Sequence, residues 1–477
     1  MSLDHKGSGI GDWGSGTREC GKCGETRETR ETRKTRETRE TTEEREEIPL
    51  PDPLSHSRSP FPDPLSPIPF PRSPFPFPFP FPFPRSPIPD PLKMRIFIST
   101  GEVSGDLQGS LLVTALRQQA IAAGLELEIV ALGGDKMAAA GAILLGNTSE
   151  IGSFGLLESL SFVLPTLQIQ RQAIAYLKQN PPDLVVLIDY MGPNLGIGNY
   201  LRRQIPQVPI VYYIAPQVWA SSVNLGNTKQ IIHVSDKILA IFPEEARYFR
   251  DKGAKVTWVG HPLVDRIEKF PSRQTARSQL GIADDAIAVA LLPASRHQEL
   301  KYLLPVMFQA AQLIQAKLPQ VHFWIPLSLE IYRHKIEQEI QRYNLQATVV
   351  SGQQQEVLAA ADLALTKCGT VNLELALLKV PQVVIYRLSP FTYWVARNIL
   401  KITFPFGSPV NLIVMKAIVP EFLQKKATPE NIIQAAMEFL LNQERKQQIQ
   451  ADYEEMQQCM GKSGVCDRAA KEILQML

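Results

Sequence analysis

The sequence predicts an α/β protein of two doubly wound, Rossmann-like domains, preceded by a long tail of low complexity. Three observations carry this. A β-type run, a glycine-bearing loop and an amphipathic helix follow one another in MRIFISTGEVSGDLQGSLLVTAL, residues 94–116. Short β-branched runs then alternate with helical stretches as far as Val259. After a polar connector, EKFPSRQTARSQ, the same alternation restarts. Such alternation reads as parallel sheet with helices on both faces, and ligands of such sheets gather at the carboxyl ends of the strands.

In the first domain, Ile96–Ile98 forms the opening strand, and apolar residues at helical spacing resume with Leu107, Leu111 and Ala115. Further strands are expected at Leu127–Leu132, Asp183–Asp189, Pro209–Ile214, Lys237–Phe242 and Lys255–Val259. Chemistry is therefore expected in the GEVSGD loop (Gly101, Glu102, Ser104, Gly105, Asp106) and at Asp189. The segments Pro216–Trp219 and Gly260–Pro262, each just past a strand, are further candidates. GEVSGD lacks the GxGxxG spacing of a dinucleotide site. Asp189 is an acid in apolar surroundings, where a carboxyl pKa rises; its structural alternative is to cap the next loop through Asn194. His261 reads either as a donor-phosphate or interdomain contact or as a buried, satisfied histidine, and is not taken as catalytic.

The second domain is expected to carry strands at Ala286–Pro293, His322–Pro326, Thr348–Ser351, Asp362–Thr366 and Gln382–Tyr386. Its most informative segment is KCGTVNLE, residues 367–374, where Gly369 and Thr370 open a helix after a strand. Free N–H groups there suit a diphosphate, and Glu374, one turn on, suits ribose hydroxyls. Arg296 lies in the loop after the first strand of this domain, where its structural alternative to a ligand contact is a surface ion pair with Glu299. Residues 388–419 are rich in aromatic and aliphatic side chains with interspersed basic ones, which fits packing between domains or docking on an anionic membrane surface. The domains are placed at 94–265 and 266–477, with the last helix packing back on the first domain.

Residues 1–93 are a different kind of polymer. Glu-Thr-Arg triplets fill 24–47, and residues 49–91 hold nearly half of the chain's 38 prolines. Neither composition buries a core, so the tail is expected to be disordered and dispensable for catalysis. Cys20 and Cys23 form a single CxxC pair without further ligands, and the three remaining cysteines show no paired framework, which fits a reduced, cytoplasmic protein. A net charge of +2 leaves no nucleic-acid footprint. No apolar run reaches the ~18 residues of a membrane span, so any membrane contact is peripheral.

Taken in order, these segments resemble the lipid-A-disaccharide synthases. GEVSGD resembles that family's GEASGD, GGDKM at 133–137 its Gly-Gly/Pro-x-Met turn, and EIGSFGLLESL at 150–160 its ExxxMGxxEVL helix. IAPQVWA at 214–220 is similar to VSPQVWAW, FPEE at 242–245 to PFE, and VGHPLVD at 259–265 to VGHPLxD. In the second domain the family has Gly-Ser-Arg-x-x-Glu and SGTxxLE; here Ala294 replaces the glycine, Cys368 the serine, and Lys367 a small residue, a change that is chemically sensible at a phosphate site.

The resemblance implies the GT-B architecture, with the two domains facing a cleft. It implies an inverting glycosyltransferase without metal or cofactor, joining UDP-2,3-diacylglucosamine to 2,3-diacylglucosamine-1-phosphate. Asp189 would be the base. Gly101, Glu102, Ser104, Gly105, Asp106, Asn194 and Gln217 would lie on the acceptor side. Arg296, Gly369, Thr370, Asn372, Glu374, Asn411 and Gln424 would hold the UDP donor. The implied partners are the UDP-linked acylated sugar, the lipid monosaccharide phosphate and the cytoplasmic face of the inner membrane, with homodimerisation left open. Another UDP-sugar glycosyltransferase with a different lipid acceptor, or a UDP-sugar 2-epimerase, stays as an alternative. The family's second aspartate after Ile188 is replaced here by Gly192.

Overall fold

A computed structural model of the protein describes residues 93–148, 156–220, 225–293, 297–395, 398 and 405–477. The expectations for residues 1–92, for most of the EIGSFGLLESL segment, for Arg296 and for part of the 388–419 stretch lie outside the described residues.

The first sheet has seven strands: β1 (Lys93–Ser99), β2 (Glu126–Gly133), β3 (Ile143–Asn147), β4 (Leu184–Ile188), β5 (Ile210–Tyr213), β6 (Lys237–Ala240) and β7 (Val256–Trp258). Their order is β3-β2-β1-β4-β5-β6-β7 and every pairing is parallel. Helices cover both faces, so the central strands read as unbroken apolar runs; all five residues of β4 are buried. The second sheet has six strands: β8 (Ile287–Leu292), β9 (Val321–Pro326), β10 (Ala347–Val350), β11 (Leu363–Lys367), β12 (Gln382–Tyr386) and β13 (Glu421–Leu423). They run in the order β10-β9-β8-β11-β12-β13, again all parallel.

Each sheet winds outward in one direction, crosses over, and winds out in the other. The crossovers fall between β1 and β4 and between β8 and β11. Helices leave the sheet on opposite faces at such a point, so a crevice opens at the strand ends, and this is where ligands of doubly wound sheets bind.

The sequence reading missed β3 and β13. Both are short edge strands; β3 sits beside Gly141 and contains Gly146, and β13 has three residues. The connector, read as polar, runs into the helix Arg273–Leu280. Ser272 accepts the N–H of Thr275 at 3.2 Å at its start, and Gly281 at φ 67° ends it.

The chain crosses between domains twice, and the crossings touch. Gly260, at φ 92°, brings His261 N–H to the carbonyl of Met460 at 2.8 Å; a Cβ at 260 would lie 2.9 Å from that oxygen. The last helix, Val465–Leu474, lies along the helix Glu102–Ala122 of the first domain, where Gln119 Nε2 donates to Asp467 at 3.2 Å. Asp265 accepts the N–H groups of Gly464, Val465 and Cys466 at 2.7–3.0 Å, which satisfies the start of that helix with a carboxylate.

Candidate active site

At the first crossover, the loop after β4 is held by its backbone. The Asp189 carbonyl accepts from Tyr212 Oη at 2.8 Å and from Asn194 Nδ2 at 2.8 Å, while its N–H donates to the Ile214 carbonyl at 3.0 Å. Asn194 is fully buried and also accepts from Ser99 Oγ at 2.7 Å, which ties the β4 loop to the end of β1. Its amide therefore supports the loop and does not face a ligand.

Four residues that are not glycine adopt left-handed backbone at the ends of β1, β4 and β5: Glu102 (φ 63°), Asp189 (φ 46°), Tyr190 (φ 42°) and Ile214 (φ 58°). Such conformations cost about 1–3 kcal/mol each and persist where the surroundings over-determine them. The consequence at Asp189 is a side chain that is solvent-reachable at the crevice yet densely surrounded by protein. That crowding raises its pKa to about 6, with the negative charge of Glu102 adding to the rise.

The GEVSGD loop divides by role. Gly101 passes beneath the Tyr190 ring, where a Cβ would come within 2.5 Å of the aromatic carbons, and Gly105 packs on Thr100. Glu102 and Ser104 keep partly exposed side chains in the first turn of their helix. Asp106, read from sequence as an acceptor-side residue, instead turns inward at 3 % exposure. Its carboxylate accepts the N–H groups of Gly134, Lys136 and Met137 at 2.9–3.1 Å and so caps the helix Asp135–Ala139. Gln217 is exposed on the loop after β5.

His261 is buried against the Phe242 ring, and its Nδ1 accepts the Leu263 N–H at 3.2 Å. Burial lowers its pKa to about 3, so it is a neutral packing histidine at the domain crossing. Glu245, from the FPEE segment, is also buried; it accepts the N–H groups of Ile241 and Phe242, and desolvation raises its pKa to about 8.

At the second crossover, Gly369 N–H donates to Asn372 Oδ1 at 2.8 Å, and Asn372 Nδ2 donates to the Lys367 carbonyl at 3.1 Å. Asn372 is fully buried, so it shapes the 367–370 turn from below. Thr370 stands at the N-cap position of the short helix Val371–Leu377, with no side-chain cap hydrogen bond to it among the described residues. Glu374, expected to face ribose, has Oε1 engaged by Arg266 Nε at 2.8 Å, an ion pair that joins the helix Leu263–Ile267 at the domain boundary to the helix Val371–Leu377. Desolvation raises the Glu374 pKa and Arg266 opposes the rise.

Asn411, also placed on the donor side, is buried and accepts from Ile418 and Val419 while donating to the Val419 carbonyl, all at 2.9 Å. It closes its own loop, because a buried amide is satisfied most cheaply by nearby backbone. Gln424 stands in left-handed backbone at φ 51°, and its Nε2 is buried without a hydrogen-bond partner among the described residues, a group that a ligand oxygen would satisfy. Sequence reasoning missed Tyr190, Tyr212, Ser99 and Arg266; none carries a local pattern that separates it from an ordinary core or surface residue.

The sequence profile described as lipid-A-disaccharide synthetase matches residues 96–476. The chain belongs to the lipid-A-disaccharide synthase family. It is 58 % identical over 381 residues to the lipid-A-disaccharide synthase of Gloeothece citriformis, covering 80 % of this chain and 99 % of that one. It is 57 % identical over 384 residues to the lipid-A-disaccharide synthase of Synechocystis, covering 80 % and 98 %. Among solved structures, a putative UDP-N-acetylglucosamine 2-epimerase from Listeria monocytogenes superposes with TM-score 0.53 at 14 % identity, covering 80 % of this chain and 96 % of that one. At that identity the likeness shows the fold, two Rossmann-like domains in the GT-B arrangement. The protein is a glycosyltransferase of lipid A biosynthesis, and the epimerase alternative has no better support.

Proposed function

We propose that the crevice at Asp189 is the acceptor site of an inverting transfer of 2,3-diacylglucosamine from UDP to 2,3-diacylglucosamine-1-phosphate. The observation that carries this is the pinned, left-handed Asp189 loop at the first crossover, with its carboxyl near pH 6 and the donor turn at the crossover of the other sheet. Asp189 takes the proton of the acceptor 6-hydroxyl as that oxygen attacks the anomeric carbon. The carbon–oxygen bond to the diphosphate breaks on the opposite face, inverting the centre, and UDP departs with the bonding pair. A base with a pKa near 6 is ionised at pH 7 and still strong enough to accept that proton.

Both substrates carry acyl chains, which supports a peripheral site at an anionic membrane surface. Phe391 and Trp394, in the helix Pro390–Trp394, are 50 % and 53 % exposed, and Lys425 and Lys426 are exposed beyond β13. No helix among the described residues is long and apolar enough to cross a membrane.

The deciding experiment incubates purified protein with UDP-2,3-diacylglucosamine and 2,3-diacylglucosamine-1-phosphate and follows products by mass spectrometry. Disaccharide and UDP in equal amounts are expected. UDP release without disaccharide, or epimerised donor, would reject the reading.

A further inference from the structure

We propose that Lys367 is a diphosphate-binding residue, held ready by Glu299 and released to the leaving group as the glycosidic bond breaks. This rests on the UDP-sugar reading above and adds a cation to the donor site that the family motif does not contain.

Lys367 is the last residue of β11, and Glu299 lies in the first turn of the helix His297–Lys317 that follows β8. These are the two strands that flank the crossover of the second sheet, so the pair occupies the crevice where a ligand is expected. Both side chains are only 14 % exposed, and Nζ stands 3.5 Å from Glu299 Oε1. The ammonium also lies against the Gly369 turn: a Cβ at 369 would come within 3.0 Å of Nζ. Gly369 thus leaves room for the lysine head in the turn assigned to the donor.

An ammonium taken this far from water needs a full set of anionic or polar partners, and one carboxylate beyond ideal hydrogen-bond distance is a loose tether. A diphosphate presents more charge and more acceptor oxygens than that carboxylate. Negative charge grows on it as the anomeric bond breaks, so the contact strengthens in the transition state, which is the condition for catalysis.

The test is calorimetry of the full-length protein with UDP, UMP and uridine. Lys367→Met is expected to weaken UDP binding roughly tenfold or more while leaving uridine unchanged, since the loss is of a charge-assisted contact to phosphate. Lys367→Arg is expected to recover part of the UDP affinity. Equal UDP affinity in wild type and Lys367→Met overturns the proposal and leaves the glycosyltransferase reading intact; failure of wild type to bind UDP overturns both. Should Lys367→Met melt before assay, Glu299→Gln decides. It removes the tether's charge, so tighter UDP binding supports the proposal and unchanged or weaker binding overturns it.

Discussion

The backbone N–H of Asp189 donates to the Ile214 carbonyl at 3.0 Å, and both residues hold left-handed backbone, at φ 46° and 58°. Neither is glycine, so each strained conformation is sustained by the other strand's end and by the Tyr212 and Asn194 contacts to the Asp189 carbonyl. The arrangement fixes where the carboxyl sits at the expense of local stability.

Replacing Asp189 with asparagine keeps the shape and removes the basicity. A fall in kcat of ~10²–10⁴-fold is expected. The folded pKa is raised to about 6, so its contribution to stability is complete below the ordinary carboxyl range and is lost as pH climbs through 6. Asp189→Asn is therefore expected to gain melting temperature relative to wild type at pH 8 but not at pH 4. A kcat within threefold of wild type would remove Asp189 from the chemistry.

The acidic limb of the kcat/KM profile, which reports the free enzyme, should report Asp189, falling below about pH 6. Glu102 holds that pKa up through its charge, so Glu102→Gln should move the limb to lower pH. A limb that stays in place in that variant would show that the titrating group is elsewhere.

Glu374→Ala is expected to weaken UDP binding by about 1.5–3 kcal/mol if its second carboxylate oxygen meets the ribose. Arg266→Met leaves a buried carboxylate uncompensated and should cost about 3–5 kcal/mol of stability, read from denaturant titration. Unchanged UDP affinity in Glu374→Ala by calorimetry would assign that carboxylate to the domain junction alone.

The protein should co-sediment with anionic vesicles, and added salt should weaken the association. The double replacement of Phe391 and Trp394 by serine should reduce the bound fraction at every salt concentration, because both rings are half exposed. Equal recovery in the supernatant with and without vesicles would count against a membrane-facing site.

The sequence by itself determined the architecture and most of the strand list, because strand periodicity, helix periodicity and the glycine-bearing turns are local properties. It also placed Asp189 and Gly369 correctly at strand ends, since a doubly wound sheet puts every such end on one edge. Local pattern does not say which polar residues at that edge face outward. Asp106 and Asn411 stand in motif positions as prominent as Glu102 and Gln424, yet backbone amides claim both, those of the distant 134–137 turn for Asp106 and those of its own loop for Asn411. The same holds for the pairs that join distant segments. Arg266 lies 108 residues from Glu374, and nothing in either neighbourhood announces the other. Only the tertiary structure decided these, because hydrogen-bond partners and desolvation depend on what the fold brings alongside. The raised carboxyl of Asp189 is of that kind: its cause is the crowding of three strand ends and the charge of Glu102, which the chain supplies from separate places.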